Sequence, residues 1–424
     1  MKLVDADTAL AHVESGQQVF VQGAAATPSV LLEALARRGK DVAGVGVVHL
    51  HTEGPAPHLD RAMEGHLHHR ALFIGPNARE AVNEGRAEYV PVFLSDIPRL
   101  FRRRDIPVDV ALLNVSPPDA HGFCSLGTSV DVTLAAAECA RIVIAQINPS
   151  MPRTHGDGFL HVSRIDFGVA IDQAPYARAE SAIGDVERKI GALVAELVPD
   201  GATLQLGIGA IPSAVASALE NKRDLGIHTE MFTDAIIDLV EKGVITGARK
   251  EINRGKIVSS FVLGTQRLYD FVHDNPLVEL RPADYTNDTA VIRRFRRMIA
   301  VNSAIEIDLT GQVCADSMGT RFFSGVGGQM DFLRGAAMAE EGRAMIALPS
   351  TAARGTLSRI VAMLKPGAGV VTTRAHVHTV ITEWGVAELH GRGIAERAKA
   401  LIAIADPRFR EQLVKAARDG RYFT

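Results

Sequence analysis

The sequence has few of the residues that mark disulfide-rich or nucleic-acid-binding proteins. Its three cysteines, Cys124, Cys139 and Cys314, are too far apart for a disulfide framework or a Cys-x-x-Cys metal site, so we expect a reducing, cytoplasmic location. Aromatic residues make up only 5%, which argues against stacking on exposed bases. The net charge of −3 gives no electrostatic reason to bind nucleic acid or an anionic membrane.

Long apolar stretches are also missing. No uncharged apolar run approaches about 18 residues, so we expect no membrane-spanning helix. Asp5 and Asp7 stand where a secretory signal needs an apolar core, which predicts a protein without one. Hydrophobic residues make up 47% and charged residues 22%, as in globular rather than disordered proteins. At about 150 residues per domain, the 424 residues predict two or three domains.

Apolar runs alternate with Ala-, Leu- and Glu-rich stretches along the whole chain. This alternation is typical of an α/β protein, in which helices cover both faces of a largely parallel sheet. The pattern predicts a helix at 28–38. The predicted strands are 19–22, 45–50, 71–74, 108–115, 141–146, 202–206, 256–263, 344–348 and 370–373.

Two segments about 180 residues apart resemble each other. Residues 23–35 align without gaps with residues 207–219, and His-Thr-Glu follows each segment, at 51–53 and at 228–230. The period is too long for a solenoid. We therefore predict two related open-sheet α/β domains that arose by internal duplication, an N-terminal domain of residues 1–184 and a C-terminal domain of residues 185–424.

A glycine turn, Gly207-Ile208-Gly209-Ala210-Ile211-Pro212, follows a predicted strand and opens a helix. Glycine permits a tight turn close to a ligand, and the free N–H groups of a helix start bind phosphates and oxyanions. A dinucleotide-binding fingerprint has a third glycine where Pro212 stands. From this motif alone, a purely structural turn is an equally good explanation.

Glu230 follows Gly207 by 23 residues, at the expected end of the next strand. Ligands of α/β sheets bind at the carboxyl ends of strands. Two roles are open for this carboxylate: it binds the ribose of a dinucleotide, or it attacks a thioester to form an acyl anhydride. A lone glutamate is most often only a solvated surface residue.

A second glycine motif lies at 324–332, Ser-Gly-Val-Gly-Gly-Gln-Met-Asp-Phe. Three glycines in four positions before a helix predict a backbone nest whose N–H groups point at an anion or an oxyanion. The alternative is a flexible loop.

Two histidine groups look like metal ligands at first sight. His66, His68 and His69 have no carboxylate or cysteine at ligand spacing, so we expect a solvated helix end and no metal site. His376 and His378 lie two residues apart after a predicted strand, and we expect them to be satisfied polar residues.

Taken together, Gly207-x-Gly-x-x-Pro212, His228-Thr-Glu230-Met and Gly325-x-Gly-Gly-Gln-x-Asp-Phe332 resemble the acetyl-CoA hydrolase/transferase family. Within it, the chain looks most like the 4-hydroxybutyrate CoA-transferases and their butyryl-CoA:acetate relatives. The resemblance covers essentially the whole chain and includes the blocks 93–98, 116–131, 151–154, 302–311, 348–352 and 372–378.

The resemblance implies an enzyme that moves CoA between carboxylic acids, with the site where two domains of the CoA-transferase type meet. Glu230 matches the catalytic glutamate, which would carry an acyl anhydride and then a glutamyl-CoA thioester. Coenzyme A and acyl-CoA are the implied substrates, and no metal or prosthetic group is implied. The resemblance also implies at least a homodimer. The matching CoA-binding and oxyanion residues are Gly207, Ile208, Gly209, Ala210, Ile211, Gly325, Gly327, Gly328, Gln329 and Ile305.

Several positions depart from the family pattern. Ala235 stands where relatives often have glycine, and Trp384 and His390 replace a more usual tyrosine and arginine. Arg354, after Ala353, lies where relatives often place a lysine near CoA and is expected to take that role. Thr286 and Asn287 are candidates for the acyl pocket. These changes weaken any inference about the preferred acyl group.

Alternatives stay open at this point. A thioester hydrolase on the same scaffold differs mainly in water exclusion, which the sequence does not report. Pro212, in place of the third glycine, argues against a dinucleotide-dependent oxidoreductase. The intact Glu230 argues against a non-enzymatic CoA-binding module. The duplication makes Glu53 the vestigial counterpart of Glu230.

Overall fold

The computed structural model describes residues 1–179 and 181–423, and it divides the chain into two compact units. The first unit consists of Met1–Ala179, Val258–Thr286 and Phe323–Gly327. The described residues of the second unit lie within Glu180–Ile257, Asn287–Phe322 and Gly328–Thr424. The predicted division at residues 184 and 185 stays a prediction.

The first unit is built on an eight-stranded sheet in which every neighbouring pair is parallel. Its strands, in spatial order, are Lys2–Leu3, Phe167–Ala170, Ile142–Ile147, Val110–Val115, Gln18–Val21, Val45–His49, Leu67–Ala71 and Ala87–Tyr89. The helices of this unit are Ala6–Leu10, Ser29–Gly39, Arg79–Asn83, Ile97–Arg102, Thr133–Cys139, Gln266–Val272 and Ala283–Thr286. Single 3-10 turns are Pro57–Leu59, Arg61–Met63, Leu94–Asp96 and Val162–Arg164.

Helix Ser29–Gly39 illustrates how the sequence forms this unit. Leu31, Leu32 and Leu35 follow the helical period, so they share one face, which packs in the core with the valines of the adjacent strands. Each fully buried leucine contributes about 1.5–3 kcal/mol to the free energy of unfolding. Basic residues occupy the last turn, where they complement the helix dipole.

The second unit is built on a six-stranded sheet that is parallel except for its last pair. Its strands, in spatial order, are Gly226–Ile227, Thr203–Leu206, Met298–Asn302, Arg343–Ala347, Thr379–Thr382 and Gly385–Glu388. The helices of this unit are Asp185–Glu196, Ala210–Ala218, Ala235–Glu241, Thr289–Ile292, Gln329–Met338, Ile394–Ala403 and Pro407–Asp419, and Ala353–Gly355 is a 3-10 turn.

Short strands outside the two large sheets complete the secondary structure. They are Phe123–Ser125, His155–Gly156, Phe159–His161, Met231–Phe232, Ile257–Ser259, Phe261–Val262, Val278–Leu280, Glu306–Asp308, Val313–Cys314, Ser317–Met318, Arg321–Phe322, Thr351–Ala352, Leu357–Ser358 and Ile360–Val361. The predicted α/β class with mostly parallel sheets is confirmed. No helix in the described part of the chain is both long enough and apolar enough to span a membrane.

The two large sheets share a strand order, which supports the predicted duplication. The strand before each glycine turn, Gln18–Val21 or Thr203–Leu206, lies between the next strand of the chain and a later one. The His-Thr-Glu tripeptide follows that next strand in both units. The second sheet ends there, whereas the first continues with Leu67–Ala71 and Ala87–Tyr89.

Three predicted strands differ from the structure. The strand near residues 71–74 is Leu67–Ala71, so His66, His68 and His69 do not form a solvated helix end, and His69 is buried. Residues 370–373 form a loop in which Thr372 exchanges backbone hydrogen bonds with Val313. The segment 256–263 contains two short strands. Of the three segments, only 370–373 has no strand at all.

Candidate active site around Glu230

The glycine turn has the predicted strand–turn–helix geometry. Strand Thr203–Leu206 leads into the turn, and helix Ala210–Ala218 follows it. Gly209 has a φ of 108°, a conformation that favours glycine. The first N–H groups of a helix have no partner within the helix, so this turn presents donors to an anion. Pro212 contributes none, because its nitrogen carries no hydrogen.

Glu230 lies on a loop that is tied to this turn. Strand Gly226–Ile227 runs parallel to Thr203–Leu206, so both strands end at the same edge of the sheet. The Thr229 hydroxyl contacts the carbonyl oxygens of Leu206, at 3.0 Å, and Met231, at 2.9 Å. These contacts fix Glu230 beside the residues that open the glycine turn.

A buried amide holds the Glu230 carboxylate. Asn287 Nδ2 donates to Glu230 Oε2 at 3.1 Å and to Asp331 Oδ2 at 3.3 Å. Asn287 and Asp331 are both buried. An amide nitrogen carries two hydrogens, and a carboxylate only accepts, so one N–H faces each carboxylate. Asn287 therefore positions the Glu230 side chain and stands between two acidic groups.

Gly328 provides the space for this arrangement. A Cβ atom at this position would collide with Glu230 Oε2 and Asn287 Nδ2. The φ of Gly328 is −95°, which any residue adopts, so the glycine is required for space and not for backbone freedom. Gly328 precedes helix Gln329–Met338, whose first turn holds Asp331. The second half of the second glycine motif thus lies directly against Glu230.

Glu53, the counterpart of Glu230 in the first unit, has a different environment. Arg178 Nη2 lies 3.0 Å from Glu53 Oε1, and the Glu53 backbone N–H donates to Thr27 Oγ1 at 3.0 Å. Burial raises the pKa of Glu53, and the Arg178 charge opposes this rise. The Arg178 guanidinium stabilises the negative charge of Glu53 and so makes this carboxylate a weaker nucleophile. This pairing argues against Glu53 as the reacting residue.

Comparison with known proteins identifies the family. The N-terminal domain model of the acetyl-CoA hydrolase/transferases matches residues 1–178, and the C-terminal domain model matches residues 264–417. The chain belongs to the acetyl-CoA hydrolase/transferase family.

Individual relatives agree with this assignment. A succinyl-CoA:acetate/propanoyl-CoA:succinate CoA transferase of Fasciola hepatica is 50% identical over 97% of this chain and 87% of its own length. A 4-hydroxybutyrate coenzyme A transferase of Clostridium kluyveri is 47% identical over 97% of this chain and 96% of its own. The crystal structure of RipA from Yersinia pestis matches with a TM-score of 0.94 at 34% identity and covers 100% of this chain and 98% of its own.

These matches confirm two sequence predictions, the family and an enzyme of the CoA-transferase type. In an acetyl-CoA hydrolase/transferase of this kind, acyl-CoA and a carboxylate are the reactants. The matches give no support to the dinucleotide-dependent oxidoreductase or to the non-enzymatic module. They do not test the roles of individual site residues, which stay predictions.

The first half of the second glycine motif belongs to the first unit and has a packing role there. A Cβ at Gly325 would lie 2.8 Å from Phe73, and one at Gly327 would lie 3.3 Å from it. The Val326 N–H donates to the Tyr89 hydroxyl at 3.1 Å, so one donor of the predicted nest is already used. Thr286 is buried at the end of helix Ala283–Thr286.

The other predicted residues lie in the second unit. Gln329 Nε2 donates to Thr372 Oγ1 at 3.2 Å, so this side chain is held by the protein itself. Ile305 is partly buried, and its N–H donates to the Cys314 carbonyl at 2.9 Å. Arg354 is exposed in a turn in which Ala353 has a φ of 49° and Arg354 one of 56°. Such non-glycine conformations cost of order 1–3 kcal/mol each, and they cluster at functional sites.

A small depression adjoins the Glu230 loop. Its lining is mostly apolar and includes Thr229, beside Glu230, and Ala235, where relatives often have glycine. The residues that line it are Leu206, Gly207, Pro212, Ala216, Ile227, Thr229, Phe232, Thr233, Ala235 and Ile236. The sequence did not predict the contacts of Asp331 and Phe73, because each depends on contacts between distant segments.

Proposed function

We propose that Glu230 carries CoA between a short-chain acyl-CoA and a carboxylate through a glutamyl-CoA thioester. The contact that supports this most is the hydrogen bond from Asn287 Nδ2 to Glu230 Oε2, since it fixes the carboxylate beside the glycine turn. The absence of a side chain at Gly328 makes room for the same oxygen, with which a Cβ atom there would collide.

The first half-reaction releases the donor acid. Glu230 Oε1 attacks the acyl-CoA carbonyl carbon, the C–S bond breaks, and CoA leaves as the thiolate with an acyl-glutamyl anhydride behind it. The thiolate then attacks the Glu230 carboxyl carbon. The anhydride C–O bond breaks, so the donor acid leaves as a carboxylate and CoA is bound to Glu230 as a thioester.

Asn287 assists the second of these steps. When the thiolate attacks the glutamyl carbon, negative charge develops on Oε2, the oxygen that already accepts the Asn287 hydrogen bond. A fixed donor at the developing oxyanion lowers the barrier without reorganisation. The N–H groups of the turn Gly207 to Ile211 are the proposed donors for the oxyanion on the substrate acyl group.

The second half-reaction reverses the first with a different acid. The acceptor carboxylate attacks the glutamyl thioester carbon, thiolate leaves, and the thiolate then attacks the acceptor carbonyl of the new anhydride. The products are a new acyl-CoA and the free Glu230 carboxylate. Charge and protons balance, and no proton transfer is needed.

CoA is proposed to contact the residues that match the family motifs. These are Gly207, Ile208, Gly209, Ala210, Ile211, Gly325, Gly327, Gly328, Gln329 and Ile305, with Arg354 as a cation for a phosphate group. A guanidinium suits this role because it presents several donors to phosphate oxygens.

The proposed donors are 4-hydroxybutyryl-, butyryl- and acetyl-CoA, and acetate is the proposed acceptor. The relatives named above support short acids, since their names mention acetate, propanoyl-CoA, succinate and 4-hydroxybutyrate. One methylene changes binding by only about 1–3 kcal/mol, so several donors should react.

Steady-state kinetics test this proposal. With butyryl-CoA as donor and acetate as acceptor, double-reciprocal plots at several acetate concentrations should be parallel, as expected for a reaction in two halves. Acetyl-CoA should form in step with the loss of butyryl-CoA. Release of free CoA at the same rate with and without acetate would instead establish a hydrolase. The cytoplasmic location, the homodimer and the lack of a prosthetic group stay predictions.

A further inference from the structure

Three buried histidines of the first unit take no part in the chemistry proposed for Glu230. His49 ends strand Val45–His49, His58 lies in the turn Pro57–Leu59, and His69 lies in strand Leu67–Ala71. Their exposed fractions are 0%, 2% and 1%. Each ring offers a nitrogen atom within 4.8 Å of the nitrogens of the other two.

Strand register brings two of the rings together. The strands are parallel, and Val47 lies opposite His69. Residues 47 and 49 point to the same face of the sheet, so His49 and His69 are diagonal neighbours on one face. Their ring centres are 4.4 Å apart, and the His58 ring lies 5.9 Å from His49 and 5.2 Å from His69.

The ring nitrogens are buried without partners. None of the six nitrogens of His49, His58 and His69 has a hydrogen-bond partner among residues 1–179 and 181–423. A buried polar group without a partner costs about 1–3 kcal/mol, so native structures rarely leave several together. Burial lowers the pKa of all three rings, that of His58 to about 4, and they are therefore neutral near pH 7. Neutral imidazole is the form that binds metals.

Neighbouring histidines provide a contrast. His66 Nδ1 lies 2.7 Å from the Val42 carbonyl oxygen, and His68 Nε2 lies 3.3 Å from the Glu88 carboxylate. Both therefore have partners in the protein, although they belong to the same sequence tract as His69. The cluster is formed by segments that are distant in sequence, which is why ligand spacing did not reveal it.

We propose that His49, His58 and His69 bind one transition-metal ion, with zinc as the ion that suits them best. Imidazole nitrogen is a preferred ligand of zinc, at about 2.0–2.1 Å. Three nitrogens at that distance from one ion lie about 3.5 Å apart, so the rings must close by about an ångström. Three neutral ligands leave the ion's charge uncompensated, and a fourth position takes water or a small anion.

The proposed role is structural. The ligands are buried, and they join two neighbouring strands to the turn Pro57–Leu59. Strand Leu67–Ala71 belongs to the part of the first sheet that extends beyond the strand order shared with the second. The proposed site therefore belongs to one copy of the duplication only, and it differs from the sequence expectation that the chain holds no metal.

Metal analysis of the full chain, prepared without a histidine tag, tests the proposal. The protein is stripped with a chelator, incubated with Zn²⁺ or Co²⁺ at pH 7 and freed of excess metal. About one ion per chain should remain. The Co²⁺ form should absorb in the visible range, and the chelator should lower Tm.

Variants assign the site. His58→Phe retains an aromatic ring and should lower bound metal to less than a tenth of an ion per chain, without the visible absorption. His68→Phe, on the same strand but with its own partner, should bind as the parent does. Absence of bound metal in the parent, or equal metal in His58→Phe, would overturn the proposal. Metal binding by the parent protein is measured without any variant. If the His58→Phe chain failed to fold, the metal content of the parent would still decide whether the proposal holds.

Discussion

Glu230 and Glu53 occupy matching positions in two related segments, yet the contacts of their side chains differ. Glu53 binds the Arg178 guanidinium, whereas Glu230 accepts from the neutral Asn287 amide. The motif and the family resemblance predict Glu230 as the catalytic residue. The sequence could not identify Asp331 as the second partner of Asn287, because positions 287 and 331 come together only in the folded chain.

Asn287 should matter more for turnover than for stability. Asn287→Ala removes the donor to Glu230 Oε2 and should lower kcat about 10²–10³-fold, as for other oxyanion donors. Asn287→Asp should lower kcat further, because it places a third carboxylate between those of Glu230 and Asp331. The measurement is kcat with butyryl-CoA and acetate.

A matched control is Asn302→Ala, since Asn302 Nδ2 donates at 3.0 Å to Gln205 and not to a carboxylate. This variant should keep kcat within a few-fold of the parent. Equal losses in both variants would show that Asn287 has only a structural role.

At the scale of elements, the sequence predicted about half of the strands that the described residues form in the two large sheets. Strand Met298–Asn302 was missed, although it is central in the second sheet. Residues 370–373 form a loop in which only Val371 and Thr372 are buried, and the actual strand, Thr379–Thr382, follows His376 and His378 rather than preceding them. In a single sequence, apolar residues mark buried loops and strands alike. Only the pairing of strands in the folded chain distinguishes the two.

The helix start at Gly328 should not tolerate a side chain. Gly328→Ala places a methyl group against Glu230 and Asn287 and should lower kcat at least about 100-fold, since small displacements of a reacting group have effects of that size. Gly393 also precedes a helix, and nothing lies closer than 3.7 Å to its Cβ position.

Gly393→Ala is therefore the control and should keep nearly full activity. Steady-state kinetics and thermal melts of both variants separate a local collision from general unfolding. Full activity in Gly328→Ala would mean that the Glu230 carboxylate lies elsewhere during turnover.

The strained turn at Arg354 should act in CoA binding. Arg354→Glu should raise KM for acyl-CoA about 10–100-fold, the effect of losing a charge-assisted hydrogen bond worth about 1.5–3 kcal/mol. The value of kcat should change little, because the residue is proposed to bind CoA rather than to react. Arg418→Glu, on the last helix, provides the surface-charge control. An unchanged KM would remove Arg354 from the CoA site.

At the scale of the whole molecule, the shared strand order of two sheets agrees with the duplication inferred from 13 aligned residues. The α/β class follows from alternation of apolar and helical segments, and the family follows from motifs spread along the chain. The segments 258–286 and 323–327, which belong to the first unit, were not predicted. Their membership depends on contacts with residues far away in sequence.

Stability should fall in mild acid, partly through His378. Burial and the neighbouring His390 lower the pKa of His378 from 6.5 to about 4. The unfolded chain therefore binds a proton between pH 6.5 and 4 that the folded chain does not, and the free energy of unfolding decreases as pH falls through this window. One such group contributes at most about 1.4 kcal/mol per pH unit, and His378 less, because it is only partly buried.

His378→Phe keeps an aromatic ring beside His390 and removes this titration. Thermal melts at pH 8, 6 and 5 should show a smaller loss of Tm in the variant than in the parent. If Tm fell equally in the variant and in the parent across this pH range, the assignment of the effect to His378 would be wrong.

The most direct test of the account is mass spectrometry of the peptide that carries Glu230. The protein is incubated with butyryl-CoA alone, and a parallel sample also receives hydroxylamine, which converts an anhydride or a thioester to a hydroxamate. The account predicts a CoA adduct or a hydroxamate on Glu230, and none in Glu230→Gln. Turnover by the parent enzyme without any adduct on Glu230 would contradict it.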